Sequence, residues 1–213
     1  MITQKGQSIE DKSMEIIDSE IGSHTYSPDE WTIVKRVIHS TADFGFAREC
    51  KIVFQKDAIR SGINALQKGC SIVVDVNAVS GGFNKDNLKK FGNNIICNIS
   101  DPLVIEDAKK LNKTRAQTSM RMAAQHMNHG IVAIGNAPTA LLEVIQMIKE
   151  GTTSPALVIG IPVGFVCAAE SKDDLRATNV PYITNIGRKG GSPCASAIVN
   201  ALFKILIAKT NSS

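Results

Sequence analysis

The chain is poor in the features by which many function classes are recognised. Aromatic residues make up 5% of its 213 positions and the formal net charge is only +4. That is too little to indicate a nucleic-acid surface, although a mildly basic chain suits a small polyanionic ligand. There is no run of roughly eighteen apolar residues, so no membrane span is expected, and residues 1–6 lack the apolar centre of a secretory leader. Five cysteines, Cys50, Cys70, Cys97, Cys167 and Cys194, are scattered and odd in number. None forms a C-x-x-C pair, which argues against a disulfide framework and against a zinc site. A reducing cytoplasm is the expected location. Nucleotide signatures are missing too: there is no G-x-x-x-x-G-K-[ST], and no predicted strand leads into G-x-G-x-x-G. Ser192 lacks the G-x-S-x-G elbow of a hydrolase.

What the chain does have is a regular alternation. Hydrophobic residues make up 43% of it, enough for a substantial core. Residues 9–17 read as a helix, with Ser13 on its more polar side. Ser27-Pro28-Asp29-Glu30 is a strong helix start, with Ser as N-cap, Pro at the first helical position and Glu two residues further on. Gly45 is expected to end that helix. A short strand at 51–54 and a helix at 57–67 follow. Then short apolar strands at 71–76, 95–99, 131–134, 156–159 and 182–186 alternate with helices, including one at 114–127. A Gly81-Gly82 loop follows the first of these strands. The tail from Lys209 reads as frayed. This rhythm predicts a single α/β domain over residues 1–213, a three-layer α/β/α sandwich on a mainly parallel sheet.

Three of the strand-to-helix loops are glycine-rich: residues 135–138, 160–164 and 187–192. In an open parallel sheet they gather at the carboxyl ends of the strands, where ligands bind. Each opens a helix, whose free N–H groups suit carboxylates or phosphates. Gly187-Arg188-Lys189-Gly190-Gly191-Ser192 adds two cations. The glycines also serve tight turns without any ligand. His126 and His129 form an H-x-x-H that can hold a metal, but no acidic partner accompanies it, and capping histidines have the same look; no metal site is assigned. Met120, Met122 and Met127 read as core.

One stretch concentrates chemistry: Lys35-Arg36-Val37-Ile38-His39-Ser40-Thr41-Ala42-Asp43. On a helix, Arg36, His39 and Asp43 fall on one face and Trp31, Val34 and Ile38 on the other. Histidine exchanges protons near neutrality, so His39 is a candidate acid/base. A histidine merely held by a nearby carboxylate would leave the same pattern.

That stretch, with Gly135-Asn136-Ala137-Pro138, Pro162-Val163-Gly164-Phe165-Val166, Ala168-Ala169-Glu170-Ser171-Lys172 and Gly187-Arg188-Lys189-Gly190-Gly191-Ser192 in order, resembles the precorrin-8X methylmutase family, whose members also act on cobalt-precorrin-8. The resemblance runs from about Ile9 to Leu202. Ala42 and Cys167 stand where the family favours glycine, and Pro193 is a further departure. The resemblance implies an isomerase that moves a methyl group from C-11 to C-12 of the macrocycle, giving hydrogenobyrinate or cobyrinate. It implies His39 as the proton donor, Ser13, Arg36 and Arg115 as substrate contacts, and a homodimer. The cationic loop adds Arg188, Lys189, Gly190 and Gly191 as candidate contacts for substrate carboxylates. No cofactor is called for, since the migrating methyl is already on the substrate. A corrinoid carrier with the same pocket and no turnover is the alternative. The wording around His39 leans towards the cobalt-containing substrate.

Overall fold

The computed structural model describes residues 3–211. Helix α1 (Gln4–Ile21) starts where Thr3 accepts the Gly6 N–H at 3.2 Å. It outruns residues 9–17 because its polar ends are helix-compatible and exposed, with Gln7 bonded to Asp11 one turn on at 2.8 Å. Helix α2 (Pro28–Thr41) opens as the sequence predicts. The Glu30 N–H donates to Ser27 Oγ at 3.4 Å, and the Ser27 N–H donates to the Glu30 carboxylate at 2.8 Å. Its stripe of Ile33, Val34, Val37 and Ile38 is buried, each side chain contributing about 1.5–3 kcal/mol.

The helix stops sooner than expected. Ala42 turns left-handed at φ 52°, and its N–H closes on the Ile38 carbonyl at 2.7 Å. Asp43 has therefore left the helix. It accepts the Gly45 N–H at 2.9 Å and caps the short 3-10 turn Phe44–Ala47. His39 and Asp43 do not share a helix face.

The chain continues through β1 (Ile52–Phe54), α3 (Ala58–Gln67), β2 (Ser71–Val74), α4 (Asn77–Gly81), α5 (Lys85–Phe91), β3 (Asn94–Ile96), α6 (Pro102–Lys110), α7 (Arg115–Met122), α8 (Ala124–Met127), β4 (Ile131–Ile134), α9 (Pro138–Lys149), β5 (Leu157–Gly160), α10 (Ala168–Arg176), β6 (Tyr182–Asn185) and α11 (Ser192–Asn211). Three local expectations change. The Gly81-Gly82 region is not a simple loop: it closes α4 and leads to α5, which Asn84 caps through the Asn87 N–H at 3.0 Å. The helix expected over 114–127 breaks at Ala123, and Met122 turns out to be exposed while Met120 and Met127 are core. The tail remains helical to Asn211, and Lys209 pairs with Asp29 at 2.7 Å.

The sheet order is β1-β6-β5-β4-β2-β3, parallel throughout except for β1 against β6. Helices cover both faces, giving the expected three layers. On one side Ile72, Val74, Ile131, Ala133, Leu157 and Ile159 meet α2, α3 and α11; on the other Val73, Val132, Ile134 and Val158 meet α7, α9 and α10. By length and composition α11 is apolar enough to cross a bilayer, but it lies between the sheet and α2 with most of its side chains buried. The winding reverses once: β2 leads outward to β3, and β4 returns on the other side of β2. That leaves a crevice between β2 and β4, where ligands commonly bind in such sheets.

Candidate active site

The crevice is filled from within. Asp75, at the end of β2, is fully buried. Its carboxylate accepts the N–H groups of Gly135, Asn136 and Ala137 at 3.1, 2.8 and 2.7 Å. Pro138 has no N–H to offer. The loop expected to receive a ligand anion therefore already holds one of the chain's own. Burial pushes the Asp75 carboxyl above its ordinary range, and the three N–H bonds offset this only in part. Gly135 is required here, since a Cβ would lie 2.8 Å from Ser192 Cα. The β4 loop and the start of α11 thus touch through backbone.

The loop after β6, residues 187–191, is fixed from beneath. Lys172 on α10 is fully buried, and its Nζ donates to the carbonyls of Gly187, at 2.9 Å, and Lys189. Asn185 Nδ2 donates to Ile186 and Lys189 carbonyls at 3.1 and 2.9 Å. The Gly191 N–H is spent on the Ile161 carbonyl at 2.9 Å, and a Cβ on Gly190 would collide with that same oxygen. The Gly164 N–H reaches the Arg188 carbonyl at 3.2 Å, which ties the 160–167 and 187–191 loops together. Beside them Phe165 and Val166 project into solvent, 87% and 78% exposed.

The predicted cations divide into two kinds. Arg188 and Arg115 are exposed, and their side chains have no hydrogen-bond or ion-pair partner among the described residues. Arg115 opens α7, and Thr114 Oγ1 lies 3.1 Å from Thr139 Oγ1 at the start of α9. This sets Arg115 on the same sheet edge as the loops. Lys189 and Arg36 are already paired. Lys189 bridges Asp43 at 2.9 Å and Glu49 at 3.4 Å, tethering its loop to the turn after α2. It also holds the Asp43 carboxyl below its ordinary range. Arg36 meets Glu10 of α1 at 2.6 Å, and Lys204 approaches the same carboxylate at 3.8 Å. These three line a cavity of about 460 Å³ with Gln7, Asn84 and Asn200. Ser13 lies one turn from Glu10 and donates to the Ile9 carbonyl at 2.8 Å. His39 is exposed on the last turn of α2, with no side-chain partner among the described residues.

Sequence reasoning missed Asp75 and Lys172. The signal for Asp75 is a charge placed directly after an apolar strand. For Lys172 it is a lysine on the inward side of α10, between Ala168 and Leu175. His126 and His129 precede β4 and so lie at the opposite, amino edge of the sheet.

Exposed guanidinium groups on a doubly wound α/β sheet suit an anionic ligand. Comparison with known proteins narrows this. The profile of the precorrin-8X methylmutase family matches residues 8–205. The cobalt-precorrin-8 methylmutase of Priestia megaterium is 52% identical over 94% of this chain and 88% of its own. That of Leptospira interrogans is 48% identical over 95% and 94%. A crystal structure of precorrin-8X methylmutase from Thermus thermophilus superposes with a TM-score of 0.89 at 39% identity, covering 96% of this chain and 98% of that one. The chain belongs to the precorrin-8X methylmutase family, isomerases of cobalamin biosynthesis.

Proposed function

We propose that this chain, acting as one domain, moves a methyl group from C-11 to C-12 of cobalt-precorrin-8 to give cobyrinate, with His39 as the proton donor. The observation that carries the reading is His39 itself: exposed, without a side-chain partner among the described residues, and on the last turn of α2, whose following turn Asp43 ties through Lys189 to the loop that carries Arg188. An intramolecular shift asks the enzyme for orientation and one well-placed proton. The charged residues on either side of His39 in the chain are engaged elsewhere, Arg36 by Glu10 and Asp43 by Lys189. The carboxylates of the substrate then become the charges that favour the imidazolium.

Arg115 and Arg188 are the free clamps for substrate carboxylates. Arg36 and Ser13 contact the substrate from the α1 side, where Glu10 must share Arg36. Lys189, Gly190 and Gly191 shape the loop more than they bind, because the Lys189 charge and the Gly191 N–H are already committed. The cobalt-containing substrate is preferred on the wording around His39 and on the names of the relatives. A reducing cytoplasm suits five free thiols. A homodimer fits the exposed Phe165 and Val166 beside the site, which a second chain can cover.

The test is single turnover of His39→Asn with purified cobalt-precorrin-8, followed by absorption. Binding is expected to persist while conversion slows by about 10²–10⁴-fold. Wild-type conversion in the variant refutes the role of His39. A spectral change that stays stoichiometric with wild-type protein indicates a carrier.

A further inference from the structure

The loop of residues 187–191 carries two cations and three glycines at positive φ: Gly187 at 79°, Gly190 at 156° and Gly191 at 131°. Glycine leaves backbone free to adopt other shapes, so something else must hold the loop. Lys172 does so through the Gly187 and Lys189 carbonyls. Its position is unusual on charge grounds. A fully buried ammonium normally faces a carboxylate, and among the described residues Lys172 has none at ion-pair distance. Asp173, next on α10, turns to Arg176 at 3.0 Å. From α11 and from the segment before β1 it is faced by Cys194 and Cys50. Burial pushes the Cys194 thiol up to about 12 and raises that of Cys50. Burial thus disfavours the thiolate at both. Asn185 Oδ1, buried under the same loop, also lacks a hydrogen-bond partner among the described residues. Without a counter-ion, burial draws the Lys172 ammonium down to about 8.

We propose that Lys172 is a positioning residue for the ligand: it holds residues 187–191 in their ligand-facing shape, and its buried ammonium gains a counter-charge only when a polycarboxylate binds above that loop. This rests on the polycarboxylate substrate proposed above and adds a group which that reading leaves unused. The sign follows from linkage. An anion bound nearby stabilises the protonated lysine, so affinity is full below the free-state value and falls as pH rises through it, by at most about tenfold per pH unit. Binding above that point takes up a proton.

The experiment titrates the full-length wild-type protein with cobyrinate, followed by absorption at pH 7, 8 and 9. It also measures proton uptake at pH 8.5 by calorimetry in two buffers of different ionisation enthalpy. The expected result is a several-fold loss of affinity between pH 8 and 9, with net uptake of a large fraction of a proton. Lys172→Met keeps the length and apolar stem of the side chain but not the charge. It is expected to bind about tenfold more weakly at pH 7 and to lose both the alkaline fall and the uptake. The uptake is also read in His39→Asn, which removes the other proton-carrying group proposed for the site; there a purely packing role for Lys172 leaves uptake at zero. Zero uptake in His39→Asn therefore overturns the inference even if the Met variant does not fold. An alkaline fall that persists in a folded Lys172→Met also overturns it. Failure of the wild type to bind cobyrinate at pH 7 removes the proposed function and this inference together. Conversion of substrate without proton uptake removes this inference alone.

Discussion

Glu143→Gln tests how α7, and with it Arg115, is held. Glu143 lies on α9 with 6% of its side chain exposed. One carboxylate oxygen accepts from Arg121 Nε and from Lys113 Nζ at 3.1 Å; the other accepts from Gln117 Nε2 at 3.2 Å. Gln117 and Arg121 belong to α7, so this one carboxylate fastens α7 to α9. Burial raises its carboxyl, but Arg121 and Lys113 more than offset this and hold it below its ordinary range. Breaking a buried pair costs about 3–5 kcal/mol when the remaining charge is stranded. Here it is not stranded. Arg121 and Lys113 are 34% and 38% exposed, and Arg121 keeps Glu150 at 2.5 Å. The amide also retains one acceptor. A loss of about 1.5–3 kcal/mol follows, read from urea unfolding at pH 7. A carboxyl whose folded value is depressed contributes fully above its unfolded value near 4.3 and loses that contribution as pH falls through the folded value. The gap between wild type and variant is therefore constant from pH 6 to 8 and closes in acid. A gap below about 0.5 kcal/mol at pH 7, or one indifferent to acid, refutes the reasoning.

Ala42 and Cys167 sit at φ 52° and 59°, where a side chain costs about 1–2 kcal/mol that glycine avoids, less glycine's own entropic penalty. Ala42→Gly combined with Cys167→Gly should raise the urea-unfolding stability by about 1 kcal/mol, and a loss would contradict the left-handed assignment. Asp75→Ala leaves three N–H groups, that of Gly135 buried, without their acceptor; a cost of about 1–3 kcal/mol in the same assay, with faster amide exchange at residues 135–137, is expected. Arg115→Ala and Arg188→Ala should each weaken cobyrinate binding by about 1.5–3 kcal/mol while leaving the unfolding midpoint in place, since neither side chain has a partner among the described residues. Unchanged affinity in either variant takes that residue out of the site.

The parts of this fold that could be read from sequence are those fixed by short-range rules. Ser27, Pro28 and Glu30 specify the start of α2 within four positions. Strand and helix alternate at periods a reader can count, and the glycine loops mark the strand ends. The end of α2 was not legible, because Ala42 takes the left-handed turn without being glycine. The state of the site was legible only in part. Which residues lie at the sheet edge follows from the winding. Which of them are free does not, because Glu10 and Arg36 are 26 positions apart, and Asp43 and Lys189 are 146 apart. Asp75 and Lys172 escaped for the same reason: each acts on backbone belonging to a distant loop.

The position of α11 has a consequence for how the protein is made. Helix α11 is the last element of the described chain, yet α2, α3 and α4 all pack on it, and its residues 194–206 are mostly buried. Among the described residues the first strand likewise pairs only with the last one, β6. During synthesis the early helices therefore emerge with their apolar stripes uncovered and wait for the twenty residues of α11. Chains stalled short of Ser192 expose that surface, and they are natural clients for chaperones and proteases.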